Sequence, residues 1–272
     1  MARVLVSHCG RFGDLLWALP ATRAIAETVG EPVDFCISEA YGGISSLVGK
    51  QEYIGRAWGE REWQIRETAP ITPTEPPVDL GAYDKVVHLS MKGWPLSRTL
   101  AEGYWLAARE EVPGLREMDL ERPWIKADPE ATKDRLDVAV GFSDNWFELK
   151  VGIFELLTDA FGGERVSFGV LAAPGSRWAT EMHWMPRSWE EAATLIWRSR
   201  VYLGCCSALW VLANALGKRT VIAEPMEGRW DKVFWLEHPR NVMVMGGDGR
   251  PTWDARAVVQ QVRRALEEGG EE

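Results

Sequence analysis

The sequence predicts an α/β protein with two parallel sheets in series, on three observations. Short apolar, β-branched runs alternate with longer segments of helical period; the alternation restarts near residue 136; and a proline-bounded connector, residues 121–129, separates the two arrays. The 272 residues are 46% hydrophobic and 26% charged, the composition of a globular chain able to bury a sizeable core. The boundary is placed at about 126–134, which gives domains 1–130 and 131–272.

In the first array residues 3–7 read as a strand and His8-Cys9-Gly10-Arg11-Phe12-Gly13 as a glycine turn. Asp14 then precedes Leu15, Ala18, Leu19, Thr22, Ala26 and Val29 at helical spacing. Pro20 either kinks this helix or marks the start of its regular part. Residues 33–38 alternate as a second strand, and 85–89 form another core strand. Between them, 58–82 carries Pro70, Pro73, Pro76 and Pro77 and reads as an exposed loop or excursion. A helix is expected over about 97–110.

The second array repeats the pattern. Strands are expected at 136–141, 166–171, 201–203 and 220–223, with helices at about 148–161, from Ser188 onward, and at 207–216. Ser188 with Glu190 and Glu191 has the spacing of an N-cap and an acidic first turn, and Gly217 closes the helix begun by Ser207. Residues 173–187 are a loop, and 255–266 form a terminal helix.

Charge narrows the partners. Thirty-one Lys and Arg stand against 40 Asp and Glu, a formal charge of −9 spread over both halves, so neither a basic nucleic-acid face nor a polybasic membrane anchor is visible. The start holds no long apolar leader segment and no run approaches 18 apolar residues, which predicts a cytoplasmic chain without an integral membrane segment. Cys9, Cys36, Cys205 and Cys206 show no metal-ligand spacing and read as reduced thiols. The 15 tryptophans read as core and interdomain filling, with stacking on sugars or bases as the alternative.

In open α/β sheets ligands sit beyond the carboxyl ends of the strands, so chemistry is sought in the loops that follow them. After the first strand come Gly10, Arg11, Gly13 and Asp14, where glycines allow close approach and a carboxylate sits at a helix start, as N-cap or as general base. The spacing is neither a dinucleotide fingerprint nor a P-loop. After residue 203, Gly204-Cys205-Cys206-Ser207 leads into a helix whose free N–H groups suit a phosphate, or which Ser207 simply caps.

The run Gly13-Asp14-Leu15-Leu16-Trp17-Ala18-Leu19-Pro20-Ala21 resembles a motif of the family 9 glycosyltransferases, the ADP-heptose:lipopolysaccharide heptosyltransferases. Tyr83-Asp84-Lys85-Val86-Val87-His88-Leu89 is similar to a strand of that family, and residues 186–191 with 201–217 are similar to its segment ending in D-S-G-x-x-H-x-A-A-x-L-G. The resemblance runs from end to end. At the D-S-G-x-x-H positions this chain has Cys206, Ser207, Ala208 and Val211, so the family's acidic residue and histidine are missing.

The resemblance implies a GT-B architecture: two Rossmann-like domains facing across a cleft, acceptor on the first and nucleotide sugar on the second, an arrangement in which the terminal helix can pack back on the N-terminal domain. It implies that Asp14 is the catalytic base of an inverting transfer, with Gly10, Arg11 and Gly13 at the acceptor. Ser143, Lys150, Ser176, Arg177, Cys206, Ser207 and Ala208 become the donor-binding candidates. No D-x-D pair is present, so no metal is expected, and no cofactor beyond the nucleotide-sugar substrate. Two other readings stand beside it: a sugar transferase acting on hydroxylated DNA bases, against which the net charge counts, and a degenerate protein that binds nucleotide or sugar without turnover. Oligomeric state is not legible.

Overall fold

The computed structural model describes residues 3–65, 74–90, 99–141, 155–162, 164, 166–174, 186–205, 207–223, 238, 240–245, 247, 252 and 254–268. The chain divides into two compact units, Met1–Lys126 and Ala127–Glu272.

The first unit begins with β1 (Val4–His8), every residue of which is buried. Helix α1 (Phe12–Val29) follows and ends at Gly30, whose φ of 81° is the left-handed geometry that favours glycine, with its N–H on the Ala26 carbonyl. Next come β2 (Val33–Ser38), a 3₁₀ turn (Glu39–Ile44), α2 (Ser45–Gly49) and β3 (Ile54–Glu60), then β4 (Lys85–His88) and α3 (Leu100–Glu111). The sheet order is β3-β2-β1-β4, all parallel. The chain therefore moves outward on one side of β1 and returns on the other, and β1/β4 is the switch point.

Two elements differ from what the sequence predicts. Residues 54–60 are the edge strand β3, which the excursion assigned to 58–82 overlapped. Downstream of it Trp63 is buried, and the Ser38 hydroxyl donates to the carbonyls of Trp63 and Ile65. Composition hides the strand: β3 carries Gly55, Arg56 and Gly59 and shows no clean alternation, as an edge strand need not. Second, α1 starts two residues before Asp14 and runs through Pro20 without interruption. Of the Pro/Thr loop, residues 66–73 lie outside the described residues.

The second unit holds β5 (Val138–Gly141), helical residues 155–161 (α4), β6 (Phe168–Leu171), α5 (Trp189–Arg198), β7 (Val201–Gly204), α6 (Ala208–Ala215), β8 (Thr220–Ile222), β9 (Asn241–Met243) and α7 (Ala255–Glu268). Its parallel sheet runs β6-β5-β7-β8-β9, so the switch point lies between β5 and β7. The three-residue β9 was not read from sequence. Ser188 caps α5, accepting from the Glu191 N–H at 3.2 Å. Helix α7 buries Val258, Val262, Ala265 and Leu266 in one core with Val138, Val201, Leu203 and Val221 of its own unit. That spacing is one helical face.

Buried tryptophans serve packing in both units: Trp17, Trp63, Trp105 and Trp124 in the first, Trp189 and Trp210 in the second. Cys9, Cys36 and Cys205 are buried thiols outside any disulfide, and burial pushes the Cys36 thiol up to about 12. Among the described residues no helix is long and apolar enough to cross a membrane.

Candidate active site

The carboxyl edge of β1 closes on His8, and Cys9-Gly10-Arg11 turns the chain into α1. Arg11 is the N-cap residue, extended at φ −66° and ψ 168°, and its side chain makes no cap hydrogen bond. Asp14 stands third in the helix. It is therefore not the cap, which removes one of its two sequence readings, although a first-turn carboxylate still gains about 0.3–1 kcal/mol from the helix dipole. Its relative exposure is only 7%, at the end of the strand that borders the switch point. Arg11 is exposed and Gly13 half-buried.

Gly10 is required by its own neighbours. A Cβ there would meet His8 Cε1 at 2.5 Å and Asp14 Cβ at 3.0 Å, so the imidazole and the carboxylate side chain flank the same point. The Gly10 N–H donates to His8 Nδ1 at 3.1 Å. Burial holds His8 down to about 3, so the ring is neutral, and with Nδ1 accepting, its proton is on Nε2. Tyr104 of α3 meets the ring edge-on, with centroids 4.9 Å apart. Burial first, and then the charge of Asp14, push the Tyr104 hydroxyl well above its ordinary value. His8 Nε2 and the Tyr104 hydroxyl are both buried without a hydrogen-bond partner in the protein. One residue earlier in β1, the Ser7 hydroxyl shares a 2.6 Å hydrogen bond with Nδ1 of His88, its paired residue on β4.

None of His8, Tyr104, Ser7 or His88 was assigned a role from sequence. A histidine closing an otherwise apolar strand was the available signal for His8; the other three meet only through sheet register and the packing of α3.

The second candidate site lies at the other switch point. Gly141 ends β5 and pairs with Gly204, which ends β7. A Cβ on Gly204 would lie 2.2 Å from the Gly141 carbonyl oxygen, so the backbones touch where any side chain would separate them. The Tyr202 hydroxyl donates to that same carbonyl at 3.1 Å. Ser207 caps α6, its hydroxyl accepting from the Trp210 N–H at 3.2 Å. Ser207 and Ala208 are half-buried, whereas Leu209–Ala215 are wholly buried, so the start of α6 is the part that faces outward. An anion there would meet the helix's first N–H groups. Val211, at the position of the family histidine, is a core aliphatic.

Ser143, Lys150, Ser176, Arg177 and Cys206 lie outside the described residues. Among the described residues no group of three or more His, Cys, Asp and Glu side chains could hold a metal ion.

No protein-family model and no curated protein matches the sequence. Solved structures do match in fold. A family 9 glycosyltransferase from Veillonella parvula superposes with a TM-score of 0.65 at 12% identity, over 98% of this chain and 97% of that one. The Escherichia coli heptosyltransferase WaaC, solved with ADP, gives 0.59 at 14% identity over 99% and 100%. The iron-containing dodecameric glycosyltransferase TibC from enterotoxigenic E. coli gives 0.53 at 12% identity over 99% and 76%. The two-sheet α/β fold of this chain is therefore the fold of these GT-B glycosyltransferases along nearly its whole length.

Proposed function

We propose that this chain is an inverting, metal-independent glycosyltransferase that moves a sugar from a nucleotide-sugar donor to a hydroxyl acceptor. The observation that carries the reading is Asp14: a buried carboxylate in the first turn of α1, which follows the carboxyl end of the strand bordering the switch point. The fold shared with glycosyltransferases supports it, as does the half-exposed start of α6 at the second switch point.

In this reading the acceptor hydroxyl loses its proton to the Asp14 carboxylate as its oxygen bonds to the anomeric carbon. The bond from that carbon to the donor diphosphate breaks on the opposite face, so configuration inverts and a nucleoside diphosphate leaves. A positioned base contributes about 10² to 10⁴-fold in rate. The first N–H groups of α6 hold negative charge on the departing diphosphate, which in other transferases a metal ion does.

The test is a panel of nucleotide sugars with saccharide and other hydroxyl acceptors, followed by mass spectrometry of the products. Acceptor-dependent release of a nucleoside diphosphate, with a new glycoside of inverted configuration, is expected. Tight nucleotide binding without transfer to any acceptor would instead support a degenerate binder, for which the aliphatic Val211 in place of the family histidine is the specific argument.

A further inference from the structure

Burying an imidazole and a phenol with unpaired polar atoms costs about 1–3 kcal/mol for each group left unsatisfied, and an aliphatic or phenylalanine side chain would fill the same space without that cost. His8 and Tyr104 incur it together, beside Asp14. What an aliphatic residue cannot supply is the acceptor at Nδ1. That atom takes the Gly10 N–H, one residue ahead of an N-cap that offers no side-chain cap of its own. The first hydrogen bond within α1, from the Leu15 N–H to the Arg11 carbonyl at 2.8 Å, starts only after this turn. The geometry of the turn therefore depends on a hydrogen bond made by His8, and Asp14 hangs from the turn.

We propose that His8 is a positioning residue for Asp14: its neutral Nδ1 holds the Gly10 turn and so sets where the Asp14 carboxylate lies, while its ring, packed edge-on against Tyr104, flanks that carboxylate. The inference rests on reading Asp14 as the base. It adds that the base is aimed by a buried imidazole which itself touches no substrate.

Two substitutions separate positioning from packing. His8→Asn places an amide oxygen where Nδ1 stood and keeps the acceptor. His8→Leu keeps the volume and removes it. Amide hydrogen exchange at Gly10 is read first, and it needs no activity: about tenfold faster exchange is expected in His8→Leu, the loss of roughly one hydrogen bond, and near wild-type exchange in His8→Asn. Turnover is read second. His8→Leu should lower kcat about tenfold or more at unchanged KM for the nucleotide sugar, and His8→Asn should restore it. If His8→Leu does not fold, His8→Gln takes its place, since its amide lies at the Nε2 position and leaves Gly10 without an acceptor. Equal exchange and equal kcat in the acceptor-keeping and acceptor-lacking variants overturn the proposal. If the wild-type protein transfers no sugar, the functional reading fails alone, and exchange at Gly10 still decides whether His8 holds the turn.

Discussion

The indole N–H of Trp124 donates to the carbonyl oxygen of Leu16 at 3.1 Å, 108 residues away in sequence. Leu16 is four residues before Pro20, which has no N–H to offer it. The orphaned carbonyl inside α1 is thus satisfied from the connector that ends the first unit. Arg23, also on α1, fastens that connector by donating to the carbonyls of Asp119, Arg122 and Pro123. Replacing Trp124 by Phe should cost about 1–3 kcal/mol for the buried carbonyl left unpaired. In a Pro20→Ala background, where residue 20 regains its N–H, the same change should cost measurably less. Chemical denaturation of the four proteins of this cycle reads the coupling; strictly additive losses would contradict the account.

Acid stability tests the neutral imidazole. The folded value of His8, about 3, lies below the unfolded value near 6.5, so between them the unfolded chain binds the extra proton and stability falls as pH falls. One such proton is worth about 1.4 kcal/mol per pH unit. His88, also lowered by burial, acts in the same direction. His8→Asn, which cannot titrate, should therefore lose less stability than wild type from about pH 6 to about pH 4, by roughly that amount per unit. Parallel pH profiles of unfolding free energy would mean that His8 is not buried neutral.

The start of α6 can be tested without disturbing its cap. Ala208→Glu puts a carboxylate at the first helical position, where it suits the helix dipole by about 0.3–1 kcal/mol but repels a diphosphate. Melting temperature should hold or rise while nucleoside-diphosphate affinity, read by calorimetry, falls about tenfold or more. Undiminished affinity would place the diphosphate elsewhere.

Metal dependence is open to direct assay. If the N–H groups of α6 meet the leaving-group charge, transfer should continue at near full rate in EDTA. A loss that magnesium, manganese or iron restores would refute that part of the mechanism.

Much of the fold was legible because local signals agreed. The restart of alternation near residue 136 appears as β5, and the serine caps at Ser188 and Ser207 start α5 and α6 where their spacing says. Edge and short strands were not legible. Ile54–Glu60 carries two glycines and an arginine, and Asn241–Met243 has only three residues. The two readings of Pro20 could not be separated locally, because the partner that lets the helix continue, Trp124, comes from the end of the unit. The polar pairs at the end of β1 were hidden for the same reason. His8 meets Tyr104, and Ser7 meets His88, through packing and register between residues more than 80 positions apart.

The central claim is that Asp14 is the base, and the turnover of Asp14→Asn measures it most directly. Asn preserves the shape of the side chain and removes the proton acceptor, at a cost of about 0.3–1 kcal/mol from the lost helix-dipole interaction. Transfer should fall about 10²-fold or more, with melting temperature and nucleotide affinity close to wild type. A variant that keeps more than about a tenth of wild-type turnover would contradict the assignment, and with it the mechanism built on this turn.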